Sequence, residues 1–287
     1  MIPCRICRSS DSTKLFTKDN IDIVRCRACG LEYADAMPGP QQLKDLYDEK
    51  YFRSGGSGTS YFDYLAEEEA MALNAARRLA RIEEIKPARG KLLDVGCATG
   101  VFLKAASGKW DAAGVELSGF ASSYAREKRG LAVKTGTLKE AAYPDKHFDV
   151  ITMWDVIEHL PDPGQDLAAA GRMLKDDGLL VLTTGDAGSL FARMCGRHWH
   201  LYNPAQHLSF FSKKTISLLL EKSGFKVLKI GKEGACFTAG YLASHLAMYY
   251  PSRVFKSMHD MVNRSRLKDI KVSVNLRDII TIYATIS

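Results

Sequence analysis

Beyond residue 90 the apolar positions of this chain gather into seven short runs separated by stretches of helical spacing. The runs are Leu92 to Val95, Ala112 to Glu116, Ala132 to Lys134, Val150 to Trp154, Leu179 to Thr184, Lys226 to Ile230 and Ile279 to Thr285. Alternation of short apolar runs with helices predicts an α/β fold, its parallel sheet covered on both faces. Ahead of them, from Tyr61 to Ile85, Leu65, Leu73, Leu79, Ile82 and Ile85 recur among charges until Pro87, which predicts one long amphipathic helix. MPGPQQ at 37–42 reads as a linker, followed by a short helical patch and a glycine-rich turn at 51–58. Between Gly231 and the last run, Leu242, Leu246, Tyr249, Phe255, Met258 and Val262 fall near helical spacing on either side of Pro251, predicting a helical insert at about 232–272.

Composition narrows the class. The 287 residues are 46% hydrophobic and 25% charged, as in folded globular proteins, which excludes disorder, collagen and coiled coil. The longest uncharged apolar run, Ala235 to Tyr250, has 16 residues and contains Ser, Thr, Gly and His; a membrane span needs roughly 18. The N-terminal MIPCRICRSS has no apolar signal core, so a cytoplasmic, reducing setting is expected and a disulfide framework is not. The net charge is +7, and both ends are basic: residues 1–30 carry six basic and three acidic side chains, residues 241–287 seven and three. Either a solvated surface or an anionic partner accounts for that pattern.

Four of the seven cysteines fall as Cys4-x-x-Cys7 and Cys26-x-x-Cys29, with eighteen residues between the pairs. This is four-thiolate zinc-ribbon spacing, and Gly30 suits the tight knuckle that follows the second pair. A closed four-sulfur site predicts structural Zn2+, not catalytic, in a knuckle at 1–36 too small for a core of its own. Cys97, Cys195 and Cys236 read as buried thiols.

Leu92-Leu93-Asp94-Val95-Gly96-Cys97-Ala98-Thr99-Gly100 runs from a buried strand into a glycine turn and a helix, a loop that brings backbone close to a ligand. The next strand ends at Glu116, twenty positions after Gly96, where a carboxylate can take both hydroxyls of a ribose. A dinucleotide loop needs its last glycine at position 101, which is Val101. Together with GTL at 136–138, the FDVITMWDVIEHLPDP block and LKDDGLLVLTT, these motifs resemble class I S-adenosylmethionine-dependent methyltransferases over about Tyr51 to Gly231 and again near 276–287. The resemblance implies a Rossmann-like seven-stranded sheet with an antiparallel last strand, in a domain over 43–287. It also implies S-adenosylmethionine at Asp94, Gly96, Cys97, Ala98 and Gly100, ribose at Glu116 with Leu117 beside it, adenine at Thr137 and Leu138, and Trp154 and Tyr51 against the cofactor. Ala98 departs from a common glycine and Thr137 from a common aspartate. Tyr51 and Tyr61 resemble the family's N-terminal lid.

Asp155, Glu158 and His159 are spaced to project from one face of a helical turn. His159 is the expected base for a hydroxyl acceptor, with Asp155 and Glu158 as acceptor contacts. The block also resembles quinone-biosynthesis O-methyltransferases, for which the resemblance implies a divalent ion at Asp155, Glu158 and His159. The segment His198-Trp199-His200-Leu201-Tyr202-Asn203-Pro204-Ala205-Gln206-His207-Leu208 resembles methyltransferases of polysaccharide and glycolipid clusters, making Tyr202 an acceptor contact and His207 an alternative base. A metal at His198, His200 and His207 is a lesser alternative. The expected activity is O-methylation of a glycan, lipid-linked sugar or related small metabolite. RNA methylation, sugar C-methylation and a non-catalytic partner protein are the alternatives. The basic insert predicts either packing or peripheral contact with an anionic membrane; nucleic acid fits less well, since no aromatic-interleaved basic stretch is present.

Overall fold

A computed structural model describes residues 2–47, 49–52, 65, 67–87, 89–250 and 252–287. The chain opens with three antiparallel strands, β1 (Ser12–Lys18), β2 (Ile21–Cys26) and β3 (Glu32–Ala34). Two short helices, α1 (Pro40–Leu46) and α2 (Glu49–Phe52), lead toward α3 (Glu68–Ile85). Tyr61 and the turn at 53–58 lie outside the described residues. On α3 the buried face is Ala70, Ala75, Leu79 and Ile82, whereas Leu73 and Ile85, expected on it, are exposed.

Next come β4 (Lys91–Val95), α4 (Val101–Ala106), β5 (Asp111–Glu116), α5 (Gly119–Arg129), β6 (Ala132–Thr135), α6 (Leu138–Ala141), β7 (Phe148–Trp154), α7 (Pro163–Met173) and β8 (Leu174–Gly185). After α8 (Leu190–Cys195), the two-residue β9 (Ser209–Phe210) and α9 (Lys213–Lys222), strands β10 (Phe225–Gly231) and β13 (Ile279–Ile286) complete the sheet. Between those two lies the insert: β11 (Ala235–Thr238), α10 (Ala239–Tyr249), α11 (Arg253–Asn263) and β12 (Lys271–Val274). The order β10-β13-β8-β7-β4-β5-β6 gives seven strands, with β13 antiparallel to both neighbours. All seven apolar runs are strands of this sheet. The pleat divides its side chains: Leu93, Val95, Ile151 and Met153 face a core with α7 and α9, while Leu92 and Val150 face Ala75, Leu79 and Ile82 of α3 and Phe102 of α4.

Two features depart from expectation. The insert is not wholly helical, because β11 and β12 pair antiparallel and tie off its ends. Nor does the N-terminal sheet close within residues 1–36: β9, far along the chain, pairs with β3 and makes it four-stranded. Cys4, Ile6, Val24 and Leu31 share one continuous core with Ile157, Leu167 and Phe211. No helix among the described residues is long and apolar enough to cross a membrane.

Gly100 caps α4 with φ +84°, and a Cβ there would lie 2.5 Å from Leu131 Cδ1 and 3.2 Å from Ala125 Cβ. Gly100→Ala adds overpacking to left-handed strain, about 3 kcal/mol together. Denaturant unfolding should show that loss; an unchanged midpoint would mean that Leu131 yields freely.

Candidate active site

β4 and β5 run parallel with Val95 opposite Val115, so both end at the same sheet edge. Past β4 the chain turns through Gly96 (φ 69°) and Ala98 (φ 49°). Gly96 is required there, since a Cβ would come 2.5 Å from Val156 Cγ2. Ala98 accepts left-handed strain of about 1 kcal/mol, and its amide donates to Glu116 Oε2 at 2.8 Å. The Ser118 amide donates to Oε1 at 2.8 Å. Burial pushes the Glu116 carboxyl up while these amides oppose the shift. Each oxygen retains a second lone pair for a ligand.

A cavity of about 1060 Å³ opens over this edge. Asp94, Gly96, Cys97, Ala98, Glu116 and Leu117 line it, as do Thr137, Leu138, Trp154 and Tyr51. The expected cofactor residues are thus brought together, with one exception: Gly100 is not among the lining residues and serves the helix cap. Thr137 spends its hydroxyl on the cap of α6, bonded to Glu140. Tyr51 stands edge-on to Tyr47 and Phe52, with centroids 5.1 and 5.0 Å away.

Farther along the cavity, a short 3-10 turn (Ile157–His159) follows β7. Asp155, at φ 56°, precedes that turn and does not share a helical face with Glu158 and His159. Its carboxylate accepts from Thr183 Oγ1 at 2.8 Å and faces Arg78, whose guanidinium lies 4.4 Å from the Trp154 ring. His207 takes the place expected for Asp155: ligand atoms of Glu158, His159 and His207 lie within 4.8 Å of one another. The two imidazoles meet edge-on with centroids 4.7 Å apart.

His159 Nδ1 lies 3.0 Å from the Gln206 carbonyl and 2.9 Å from the Tyr47 hydroxyl. A carbonyl only accepts, so Nδ1 carries the proton and Nε2 is the basic nitrogen. His207 Nδ1 is likewise tied to the Leu201 carbonyl at 2.7 Å. Burial, reinforced by His207, pushes His159 down to about 3, so its ring is neutral. Burial and the Asp155 charge push Glu158 up, and its Oε2 has no hydrogen-bond partner.

Tyr202 does not line the cavity; its buried hydroxyl donates to Glu32 Oε2 at 2.5 Å. His198 is exposed and stands outside the imidazole cluster. The insert contributes a wall that was not legible from motifs. Phe237 stacks on Tyr241 at 5.2 Å, and His245 lies 4.5 Å from Tyr249 and 5.7 Å from His200. Tyr47, Arg78 and Gln206 were also missed; only their placement by the fold marks them.

At the N-terminus, Cys4 Sγ lies 3.5 Å from Cys29 Sγ and Cys7 Sγ 3.5 Å from Cys26 Sγ. Sulfurs bound tetrahedrally at about 2.3 Å from zinc would be roughly 3.8 Å apart, so the four-sulfur group is compatible with that ion. Burial pushes the Cys4 and Cys29 thiols up, so thiolates there need a cation. Of the remaining cysteines Cys97 and Cys236 are buried, but Cys195 is only half-buried.

A family model described as a methyltransferase domain matches residues 67–230, more than half of the chain. The chain belongs to that methyltransferase family. Curated relatives described as ubiquinone biosynthesis O-methyltransferases include one from Methylococcus capsulatus, 36% identical over 102 residues, which are 33% of this chain and 43% of that protein. Another, from Thiobacillus denitrificans, is 33% identical over 115 residues, 37% of this chain and 50% of that one. The chain spans about half the length of the curated relatives it matches. A solved SAM-dependent methyltransferase from Archaeoglobus fulgidus shares the fold, with a TM-score of 0.53 at 18% identity over 77% of this chain and 98% of that one. The YcgJ protein of Bacillus subtilis does so at 0.50 and 16%, over 74% and 97%.

In this methyltransferase, burial pushes the Asp94 carboxyl up to about 7 from 3.8, against the Thr152 hydroxyl that bonds it at 2.7 Å. A raised folded pKa means that Asp94 contributes stability below about pH 4, lost as pH rises through 7. Asp94→Asn cannot ionise, so its unfolding free energy should fall less between pH 4 and 7 than that of the wild type. Parallel urea titrations across that range would check this; identical slopes would show that folding does not raise the Asp94 carboxyl.

Proposed function

We propose that this chain is an S-adenosylmethionine-dependent methyltransferase that methylates a hydroxyl of a lipid-linked or otherwise apolar small acceptor. The observation that supports it most is one continuous cavity, with Glu116 and the Gly96 turn at one end and the Glu158–His159–His207 cluster farther along. S-adenosylmethionine would supply a methyl group already activated on sulfur. The protein has then to align, exclude water and hold a proton.

Glu116 would take the ribose hydroxyls on its spare lone pairs. Gly96, Cys97 and Ala98 would pass the methionine portion, with Thr137 and Leu138 beside the adenine and Tyr51 closing over it. His159, neutral and with Nδ1–H fixed by Gln206, would accept the acceptor's hydroxyl proton at Nε2. His207 is oriented the same way and is the alternative base. Glu158 Oε2, unpartnered, is placed to bind the acceptor hydroxyl.

The acceptor class follows from the insert. Phe237, Tyr241, Leu242, Leu246 and Tyr249 line the cavity with little polar surface among them, which suits an apolar or ring-bearing acceptor better than a bare glycan. The adjoining α11 exposes Val254 and Met261 beside basic Arg253 and Lys256, a surface fitted to an anionic membrane that would present such an acceptor. The four cysteines would hold a structural zinc. A second reading rests on the 4.8 Å cluster of Glu158, His159 and His207. These three could hold a divalent ion that lowers the acceptor hydroxyl's pKa, in place of the trio that included Asp155.

Saturating S-adenosylhomocysteine should raise the unfolding midpoint, by about 2.7 kcal/mol of stability at a hundredfold excess over Kd. Glu116→Ala should abolish that rise. Wild type without a shift at saturating ligand would sink the enzyme reading. With methyl-labelled S-adenosylmethionine and host extract, label should enter the lipid or lipid-linked fraction; label in RNA would overturn the acceptor assignment. His159→Ala should lower that labelling by about 100-fold with cofactor affinity intact. Equal labelling would promote His207, and dependence on added Mg2+ or Zn2+ after chelation would favour the divalent reading.

A further inference from the structure

Arg5 sits between two cysteines of the knuckle and is 1% exposed. Burying a guanidinium costs several kcal/mol unless its hydrogens are met; among the described residues no carboxylate bonds it, and its Nε has no partner. Its hydrogen bonds go to three backbone carbonyls: Nη1 donates to Leu208 O at 2.9 Å and Ala34 O at 3.2 Å, and Nη2 to Ala36 O at 2.7 Å. Two of these belong to the N-terminal segment itself. The third lies some 200 residues away in sequence, immediately after His207.

Leu208 is a junction. Its carbonyl also accepts the Ala34 amide at 3.1 Å, while its own amide donates to the Glu158 carbonyl at 2.8 Å. Two residues earlier, the Gln206 carbonyl orients His159. The peptides at 206–208 therefore carry His207, hold Glu158 and set the tautomer of His159, and they are held from behind by Arg5. The ribbon reinforces this clamp at two more points, Tyr202 to Glu32 and Arg8 to Asp162, the latter at 2.5 Å.

We propose that Arg5 is a positioning residue: through Leu208 it holds the backbone that orients His159, His207 and Glu158, making the N-terminal ribbon a working part of the acceptor end of the cavity. A ribbon serving only as a folding staple would need no buried cation aimed at this peptide; an apolar side chain of the same volume would fill the space without the desolvation cost. The inference rests on the assignment of this cluster to the acceptor, but its geometric content stands apart from which residue is the base.

The test uses the full chain and needs no acceptor. Long-range proton–nitrogen spectra of the histidine rings, at one fixed pH, report which nitrogen carries the proton and whether it is hydrogen-bonded. In wild type, the rings of His159 and His207 should show the bonded Nδ1–H form; His159→Ala and His207→Ala assign them among the bonded signals. Arg5→Met should lose or broaden both signals, and Arg5→Lys, which cannot span three carbonyls, should shift them less, while both variants bind S-adenosylhomocysteine as wild type does. Leu79→Ala, destabilising from the opposite face of the sheet, should lower the unfolding midpoint and leave the ring signals in place. Arg5→Met with wild-type ring signals would overturn the proposal; if that variant does not fold, unmoved signals in Arg5→Lys would do so. Failure of His159→Ala to reduce labelling would fall on the choice of base and leave this result unaffected.

Discussion

The cavity depends on one buried contact, the Glu116 carboxyl with the amides of Ala98 and Ser118. Strands β4 and β5 stop together at one sheet edge, and amides beyond the last ladder bond need acceptors that no neighbouring strand supplies. Glu116 provides them from the end of β5 itself. The contact draws the loop after β4 across the edge and holds Ala98 in a left-handed conformation that its methyl group disfavours. Loop shape, cavity opening and the spare lone pairs facing a ligand follow together. Without that carboxyl the amide at 98 would lose its partner at a buried site, at a cost of about 1–3 kcal/mol.

The other end of the cavity is organised by desolvation. Glu158 is buried there, and burial with the Asp155 charge holds its carboxyl up. The same burial holds His159, His200, His207 and His245 down. Glu158 and the imidazoles are thus held toward their neutral forms, with partly buried Arg78 beside Asp155 and Trp154. A neutral imidazole with its Nδ1–H fixed is prepared to receive a proton at the opposite nitrogen. For the proposed transfer, Glu158 adds a nearby site whose ionisation would offset the imidazolium charge, so the two residues work better as a pair than either would alone.

How much of this could be read from the chain depended on range. The seven strands were legible because each is a short, largely apolar run between helical stretches, with consecutive buried positions in the central β4, β7 and β8 and lysines interrupting the edge strands β6 and β10. The proposed cofactor end was legible because glycine turn, acidic strand end and following GTL lie within about 45 residues of one another in order. Cysteine spacing made the knuckle visible for the same reason, two local pairs. Misplacements came where a role depends on a distant partner. Tyr202 directly follows Leu201 of the cavity wall, yet Glu32 of the ribbon turns its hydroxyl away. Asp155 has helical spacing to Glu158, but its positive φ breaks the periodicity before the turn begins. His207 could join His159 only once β9 had paired with β3, a contact spanning more than 170 residues.

The insert shows why acceptor preference leaves so faint a trace in sequence. On α10, Tyr241, His245 and Tyr249 recur every four residues, a spacing equally good for ordinary packing. What makes that stripe a wall is the closure of β11 on β12, with Asn74 of α3 bonded to both backbone groups of Cys236. The anchor lies on the methyltransferase domain and the stripe on the insert, so residues can change along the stripe without disturbing the anchor. The proposed cofactor contacts are under the opposite constraint, since loop, strand end and carboxyl are joined directly by the bonds from Ala98 and Ser118 to Glu116. Chemistry that must stay fixed is therefore written in local motifs, and the proposed acceptor surface is written in a helix face whose register is set from elsewhere.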